Sequence, residues 1–293
     1  MRVLVTAANG QLGWEMKKQS PLFDLEIYAL QKTGLDITDS KQLTETVEAY
    51  NPEIIVNTAA YTSVDLAEKH QEQAYSVNHL AVENLAKICK EKSIFLVHIS
   101  TDYVFNGLKG RPYAEEDKAI PINTYGLSKK MGEDAIRTIL PQHIILRTSS
   151  VFGVHGHNFV KTVINKVKTQ DNIQVVDDLF GCPTSARSVA ECIYIICKQY
   201  SKTKKIEYGT FHFVNSPSTS WYLFAKDIIE LAYQNKIIKE RSVIEAISYT
   251  NYRSVAKRPL DSSMSTEKIS NSYKISKINW SKELEITINK LLM

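Results

Sequence analysis

A tyrosine followed four residues later by a lysine places a phenol and an ammonium on one helix face. There the cation is expected to lower the phenol's pKa from about 10 and ready it for proton exchange. The chain holds this spacing six times, starting at Tyr28, Tyr125, Tyr194, Tyr200, Tyr222 and Tyr273, so spacing alone selects nothing. Setting selects Tyr125. It stands in Pro121-Ile122-Asn123-Thr124-Tyr125-Gly126-Leu127-Ser128-Lys129, a turn running into a helix, downstream of an apolar run that ends in Ser100-Thr101-Asp102-Tyr103.

These residue types suit reduction of a ketone. A carbonyl that receives hydride develops negative charge on oxygen and needs a proton donor and a hydrogen-bond donor beside it. Tyr125 is expected to give the proton, Thr101 to bond the carbonyl oxygen, and Lys129 to tune Tyr125 and hold the ribose of a nicotinamide cofactor, which brings the hydride.

Such a centre needs a scaffold that brings strand ends to one crevice. Val3 to Thr6, Glu26 to Leu30, Ile54 to Asn57, Phe95 to Ile99 and Ile144 to Thr148 read as strands, too apolar for a half-exposed sheet. Helical segments alternate with them: Lys41 to Tyr50 behind an Asp39 or Ser40 cap, and Ala74 to Lys92 with Val77, Leu80, Leu85 and Ile88 at helical spacing. The order predicts an α/β fold, a doubly wound, Rossmann-like parallel sheet. Past residue 150, Gly153, Gly156, Gly181-Cys182-Pro183 and Ser216-Pro217 interrupt shorter elements, with helices over Ser185 to Tyr200 and Ser220 to Asn235. This predicts a smaller mixed substrate-binding lobe. Residues 1–149 with about 185–208 are assigned to the dinucleotide-binding domain, and about 150–184 with 209–293 to the second lobe.

The first strand runs into Thr6-Ala7-Ala8-Asn9-Gly10-Gln11-Leu12-Gly13 and then a helix. Gly10 lets backbone amides approach a pyrophosphate, Gly13 allows close helix-to-strand packing, and the helix end adds a positive dipole. Ala7 opens this turn; unless its backbone keeps to an ordinary region, it costs about 1 kcal/mol. The second strand ends Leu30-Gln31-Lys32 with no acid to bind a ribose diol. Lys32 points instead to a 2′-phosphate, hence NADPH, with NADH possible.

Other features bound the function. The net charge is +4, and Lys202, Lys204 and Lys205 read as a solvated loop without the aromatic interleaving of a nucleic-acid surface. No apolar run is long enough to span a membrane and the start resembles no leader, so no membrane partner and a cytoplasmic location are expected. Cys89, Cys182, Cys192 and Cys197 lack metal-site spacing and read as free thiols. His155 and His157 read as a polar loop, and Trp221 and Trp280 as core residues at helix starts. Arg253, Lys257 and Arg258 could grip a diphosphate, Arg258 foremost.

Taken together, the chain resembles the extended short-chain dehydrogenases/reductases, and among them the dTDP-4-dehydrorhamnose reductase family. The similarity runs through Asn9-Gly10-Gln11-Leu12-Gly13-Trp14-Glu15, Leu35-Asp36-Ile37-Thr38, Val56-Asn57-Thr58-Ala59-Ala60-Tyr61-Thr62 with Val64-Asp65, and Ser100-Thr101-Asp102-Tyr103-Val104-Phe105. It continues through Tyr125-Gly126, Lys129, Arg147-Thr148-Ser149, Asn158 to Thr162, Gly181 to Thr184, Arg258-Pro259 and Ser262.

The resemblance implies that Asn9, Gly10, Gln11 and Leu12 contact the pyrophosphate, Asp36 and Ile37 the adenine, and Ala59, Ala60, Tyr61 and Thr62 the middle of the dinucleotide. Thr101, Asp102 and Tyr103 would face the sugar. Related dehydratases carry glutamate where Tyr103 stands, so simple reduction is implied: dTDP-4-dehydro-6-deoxy-L-mannose to dTDP-L-rhamnose, for cell-surface polysaccharide. Ser150 replaces a family tryptophan that faces the sugar, which keeps a related dTDP-4-keto sugar product open; a non-catalytic cofactor-binding subunit is the further alternative. Some members dimerise through a carboxylate-held metal to which Glu15 could correspond, but Arg187 and Ser188 stand where acids are expected. No metal is predicted, and a homodimer is possible.

Overall fold

The computed structural model describes residues 1–292. Its first half follows the alternation read from the sequence: β1 (Arg2–Val5), α1 (Gln11–Gln19), β2 (Glu26–Ala29), α2 (Ser40–Tyr50), β3 (Ile54–Asn57), α3 (Val64–Lys69), α4 (Gln71–Tyr75), α5 (Ala81–Glu91), β4 (Phe95–Thr101), α6 (Thr124–Ile139) and β5 (His143–Thr148). Then come β6 (Val151–Phe152), α7 (Phe159–Val167), β7 (Asn172–Val176), β8 (Phe180–Gly181), β9 (Thr184–Ser185) and α8 (Ala186–Thr203). The chain finishes with β10 (Gly209–His212), β11 (Thr219–Ser220), α9 (Trp221–Gln234), β12 (Val243–Ile247), α10 (Glu267–Tyr273) and α11 (Trp280–Lys290).

Six strands form one sheet in the order β10-β5-β4-β3-β1-β2, and every pairing in it is parallel. The central strands are mostly apolar because both faces are covered. Val3, Val5, Ile54, Val56, Val97, Ile144 and Leu146 face a core shared with α1 and α8, while Leu4, Ile55, Leu96 and Ile145 face one shared with α2, α5 and α6. Alternate residues thus serve opposite layers. After β1 the chain moves to β2 on one side, then returns past β1 to β3 on the other. That reversal opens a crevice beyond the carboxyl ends of β1 and β3, the usual ligand position in this architecture.

The second lobe has its own core, built from Phe152, Val160, Val163 and Ile164 against Phe224, Ile228, Trp280, Leu284 and Ile288. Its boundary differs from the sequence expectation. Residues 209–293 do not all lie in this lobe: β10 is the edge strand of the main sheet, and Ile269, Tyr273 and Ile275 pack into the main core. The irregular 205–275 stretch hid this return because a four-residue strand carries little periodicity.

Two other elements differ. The helix expected over Ala74 to Lys92 contains a π-helical segment, Ser76–Leu80, between α4 and α5. Lys202 and Lys204 belong to the end of α8, Lys204 as its left-handed cap and as a partner of Glu53 at 3.3 Å. Trp280 is buried as expected, whereas Trp221 is only partly covered. All four cysteines are buried and free. Among the described residues no helix is long and apolar enough to cross a membrane.

Candidate active site

The loop after β1 is shaped for a diphosphate. Ala7 has φ +51, so it occupies the left-handed region and carries the side-chain cost that an ordinary conformation would have spared. A Cβ on Gly13 would lie 2.5 Å from the Ala7 carbonyl oxygen and 2.7 Å from Ala8 Cα, so α1 can pack this tightly only with glycine there. Gly10 caps α1 without a side-chain bond, whereas Asp39, Asn123, Asn158, Ser185, Ser220 and Asn279 cap their helices through side chains. Asn9 and Gly10 are exposed. The first amides of α1 are therefore left for an anion, and a dinucleotide diphosphate fits this cradle.

Beneath the crevice, β1 and β3 are tied by polar groups. Thr6 Oγ1 donates to Asn57 Oδ1 at 2.7 Å and accepts from the amides of Thr58 and Ala59 at 3.1 and 3.2 Å. Tyr61 is clamped at both backbone groups by Asn78, whose Oδ1 accepts from the Tyr61 amide at 2.8 Å and whose Nδ2 donates to its carbonyl at 3.0 Å. Asn78 lies in the π segment, whose extra residue per turn aims it out of the helical register. Ala59, Ala60, Tyr61 and Thr62 thereby form a supported rim. Neither Asn57 nor Asn78 was given a part of its own in the sequence reading, since single buried asparagines leave no spacing signal.

Other expected cofactor residues play a visible local part. Gln11 accepts from Asn158 at 3.0 Å and donates to the Val151 carbonyl at 3.3 Å, so the loop entering α7 clasps the turn after β1. His155 belongs to that clasp, bonded to the Asn9 carbonyl at 3.0 Å and stacked on Trp14 with centroids 5.1 Å apart. Leu12 and Ile37 are buried. Asp36 accepts from the Thr38 amide and hydroxyl at 3.0 and 2.7 Å, and Lys32 reaches it at 3.3 Å. The Asp36 carboxylate therefore braces a turn, and Lys32 remains exposed beside it.

The catalytic candidates meet at the end of β4. Asn123 caps α6 by accepting from the Gly126 amide at 2.7 Å and donates to the Lys257 carbonyl at 2.8 Å. Glu68 accepts from the Thr124 amide and hydroxyl, each at 2.8 Å. These bonds fix where α6 begins and so where Tyr125 stands. The Tyr125 and Tyr103 rings meet edge to face, 5.7 Å apart, and Thr101 lies close enough for its hydroxyl to bear on the Tyr125 phenol.

The expected electrostatics of the pair are reversed. Burial raises the Tyr125 pKa above its ordinary value, and Lys129 is not among the groups acting on it. Lys129 is itself lowered to about 8, chiefly by burial and against the pull of Glu133. Its Nζ donates to the Ile99 carbonyl at 2.7 Å and lies 3.2 Å from His98 Nε2. The sequence expectation missed that a side chain from β4 would take the lysine's attention.

Thr101 Oγ1 donates to Asp102 Oδ1 at 3.1 Å and accepts from the Tyr103 amide at 3.1 Å. Asp102 is buried, and its other oxygen accepts from Ser149 at 2.7 Å and Ser262 at 2.5 Å. Burial raises its pKa despite these three hydroxyls. It therefore orients Thr101 from below rather than facing the crevice openly. Arg258 donates to Tyr103 Oη at 3.3 Å and to Asp65 at 2.8 Å, and its buried Nε has no partner among the described residues.

The family comparison covers this whole framework: the model of the RmlD substrate binding domain matches residues 1–293. The chain belongs to that family. A dTDP-4-dehydrorhamnose reductase of Aggregatibacter actinomycetemcomitans is 38% identical over 287 residues, 97% of each protein. A solved dTDP-4-dehydrorhamnose reductase of Clostridium acetobutylicum superposes with TM-score 0.92 at 32% identity, covering 100% of both chains. One from Bacillus anthracis, solved in complex with NADP, gives TM-score 0.87 at 34% identity and 99% coverage of both.

Membership in the RmlD family sharpens the two departures noted in the sequence. Ser150 has φ +48 and shares a cavity of about 10 Å³ with Gly181, Pro183, Thr219, Ser220, Trp221 and Phe224. The aromatic groups beside Ser150 thus come from α9. At the other departure, Arg187 forms a two-pronged pair with Glu283, while Glu15 accepts from Gln19 at 3.2 Å. Arg253 lines a cavity of about 600 Å³ with Lys166, Asn172 and Tyr252.

Proposed function

We propose that this chain uses NADPH to reduce the C4 ketone of dTDP-4-dehydro-6-deoxy-L-mannose, yielding dTDP-L-rhamnose for cell-surface polysaccharide. The observation that carries this reading is the meeting of Thr101, from the end of β4, with Tyr125 and Lys129 on α6, beside the strand reversal of a sheet whose first helix has an open N-terminus. Full-length relatives bear the name of that reductase, and one was solved with NADP. Domain limits follow the same logic: residues 1–149, 185–212 and the 267–275 segment carry the dinucleotide side, and the remainder carries the sugar side.

When bound, the dinucleotide supplies the hydride. Gly10, Gln11 and Leu12 hold its diphosphate with the first amides of α1, Asn9 borders it, and Ala59 to Thr62 support its middle. Asp36 and Ile37 shape the adenine end, where exposed Lys32 provides positive charge for a 2′-phosphate. NADH lacks that group and is the weaker partner.

Tyr125 donates the proton. Its raised pKa keeps it a phenol at neutral pH, which is the form an acid needs. An alkoxide is more basic than a phenolate, so transfer to the developing oxyanion runs downhill. Thr101 donates its hydroxyl hydrogen to the same oxygen, releasing Asp102 as it turns. Lys129 contacts the ribose with the Nζ hydrogens that the Ile99 carbonyl does not take. Arg258, already shared between Tyr103 and Asp65, offers its planar donors to the diphosphate of the sugar nucleotide. Tyr103 and Ser150 border the sugar, with Trp221 supplying aromatic surface next to Ser150.

The assembly is proposed as a homodimer acting in the cytoplasm, with no nucleic acid or membrane as partner. The deciding experiment incubates the enzyme and NADPH with a panel of dTDP-4-keto-6-deoxy sugars and determines product stereochemistry. Formation of dTDP-L-rhamnose is expected. A 6-deoxytalose product would move the reading to a related reductase, and no NADPH oxidation with any sugar would overturn it.

A further inference from the structure

Arg258 is held from several sides. Its Nη2 donates to Asp65 Oδ2 at 2.8 Å and its Nη1 to Tyr103 Oη at 3.3 Å, while its backbone amide donates to Tyr249 Oη at 2.8 Å. Asp65 also grips the backbone of the same segment, accepting from the Ala256 amide through Oδ1 at 3.0 Å. One carboxylate thus fixes both the chain at Ala256 and the guanidinium two residues later.

This segment closes a ring with the start of α6. Asp65 and Glu68 stand three residues apart on α3 and so share a face. Glu68 accepts from the Thr124 amide and hydroxyl. Asn123, the cap of α6, donates to the Lys257 carbonyl at 2.8 Å. From α3 to residues 256–258, on to Asn123 and Thr124 and back to α3, each step is a hydrogen bond, and Tyr125 is the next residue along. Arg258 and Tyr125 are far apart in sequence, yet this ring sets the spacing between them.

The clamp leaves Arg258 with donors to spare. A guanidinium has five N–H hydrogens. Asp65 and Tyr103 take one each, and Nε has no partner among the described residues. The side chain of Asp65 is 42% exposed, so the ion pair adds little stability by itself. Its effect is on order. A free arginine side chain samples many rotamers and must be immobilised on binding, whereas a clamped one has its plane set beforehand.

Resting on the reading of Arg258 as the grip on the sugar-nucleotide diphosphate, we propose that Asp65 is a positioning residue: by clamping Ala256 and Arg258 together, it presets the guanidinium for the diphosphate at a fixed distance from Tyr125. A carboxylate beside a diphosphate repels it, so any benefit from Asp65 passes through Arg258 alone.

Asp65→Asn tests this. Its Oδ1 keeps the Ala256 amide, but its Nδ2 sets a donor against the Arg258 donor, so the backbone tie stays and the guanidinium is released. Being half-exposed, the position tolerates the change without disturbing the core. Calorimetry on wild type, Asp65→Asn, Arg258→Met and the double variant, each first shown to bind NADPH equally, compares dTDP with thymidine, which has no phosphate. Asp65→Asn is expected to weaken dTDP binding about 5-fold and leave thymidine binding unchanged. In the Arg258→Met background the same substitution is expected to leave dTDP binding no weaker. Equal losses for dTDP and thymidine, or a further loss in the Arg258→Met background, would overturn the proposal. So would full dTDP affinity in Asp65→Asn beside a weakened Arg258→Met, a result that leaves Arg258 its role. Full dTDP affinity in Arg258→Met would instead contradict the reading of Arg258, and the part of Asp65 with it.

Discussion

Gly126 lies against Tyr103 so closely that a Cβ built on it would stand 2.1 Å from the Tyr103 carbonyl oxygen. The start of α6 is thus pressed onto the turn that follows β4, and Tyr125 is held beside Thr101 by backbone contact. Gly126→Ala must push the helix away. Its kcat is expected to fall about 100-fold by misplacing the phenol, with about 1–3 kcal/mol lost in chemical denaturation. Normal turnover in this variant would show that α6 needs no such contact.

Ala7 at φ +51 carries a conformational cost that glycine would not. Relief of about 1–2 kcal/mol of left-handed strain is partly offset by the greater unfolded freedom of glycine, about 0.5–1 kcal/mol. Ala7→Gly should therefore gain roughly 0.5 kcal/mol in denaturant titration and bind NADPH at least as tightly. A loss of stability would show that the methyl is otherwise compensated.

Four residues after Lys129, buried Glu133 holds buried Arg147 at 2.9 and 2.7 Å. Burial pushes its carboxyl up, but Arg147 and Arg137 outweigh that and hold it at about 2. The folded pKa lies below the unfolded one, so this group's stabilisation is complete above about pH 4.3 and is lost as pH falls toward about 2. Glu133→Gln strands the Arg147 charge and should cost about 3–5 kcal/mol. The variant's acid denaturation profile should also be flatter between those limits, which equilibrium unfolding at several pH values checks.

Among the described residues, Arg258 has a buried Nε without a partner and forms an ion pair with Asp65. If its unmet donors await a diphosphate, Arg258→Met should raise KM for the sugar nucleotide at least about 10-fold while changing kcat less. An unchanged KM would return Arg258 to a purely structural part.

Much of this was legible in the sequence because its signals were local. The apolar strands, the Asp39 or Ser40 cap, the helices beginning at Ser185 and Ser220, and the turn before Tyr125 are each written within a few residues. What escaped was carried by distant pairings. His98 looks like one more residue of an apolar strand, yet it meets Lys129 from 31 residues away. Asn78 acts through a π segment that helical periodicity averages out, and β10 rejoins the main sheet over four residues. The lowered Tyr125 pKa was expected from spacing, but burial and the turning of Lys129 toward His98 decided otherwise.

The most direct measurement compares wild type with Tyr125→Phe, following NADPH oxidation with dTDP-4-dehydro-6-deoxy-L-mannose after matched NADPH binding is established for both. The account predicts that the variant folds, binds the dinucleotide and loses about 10²–10⁴-fold in kcat, because only the phenolic hydrogen is gone. Full turnover by Tyr125→Phe would contradict the assignment of Tyr125 as the acid.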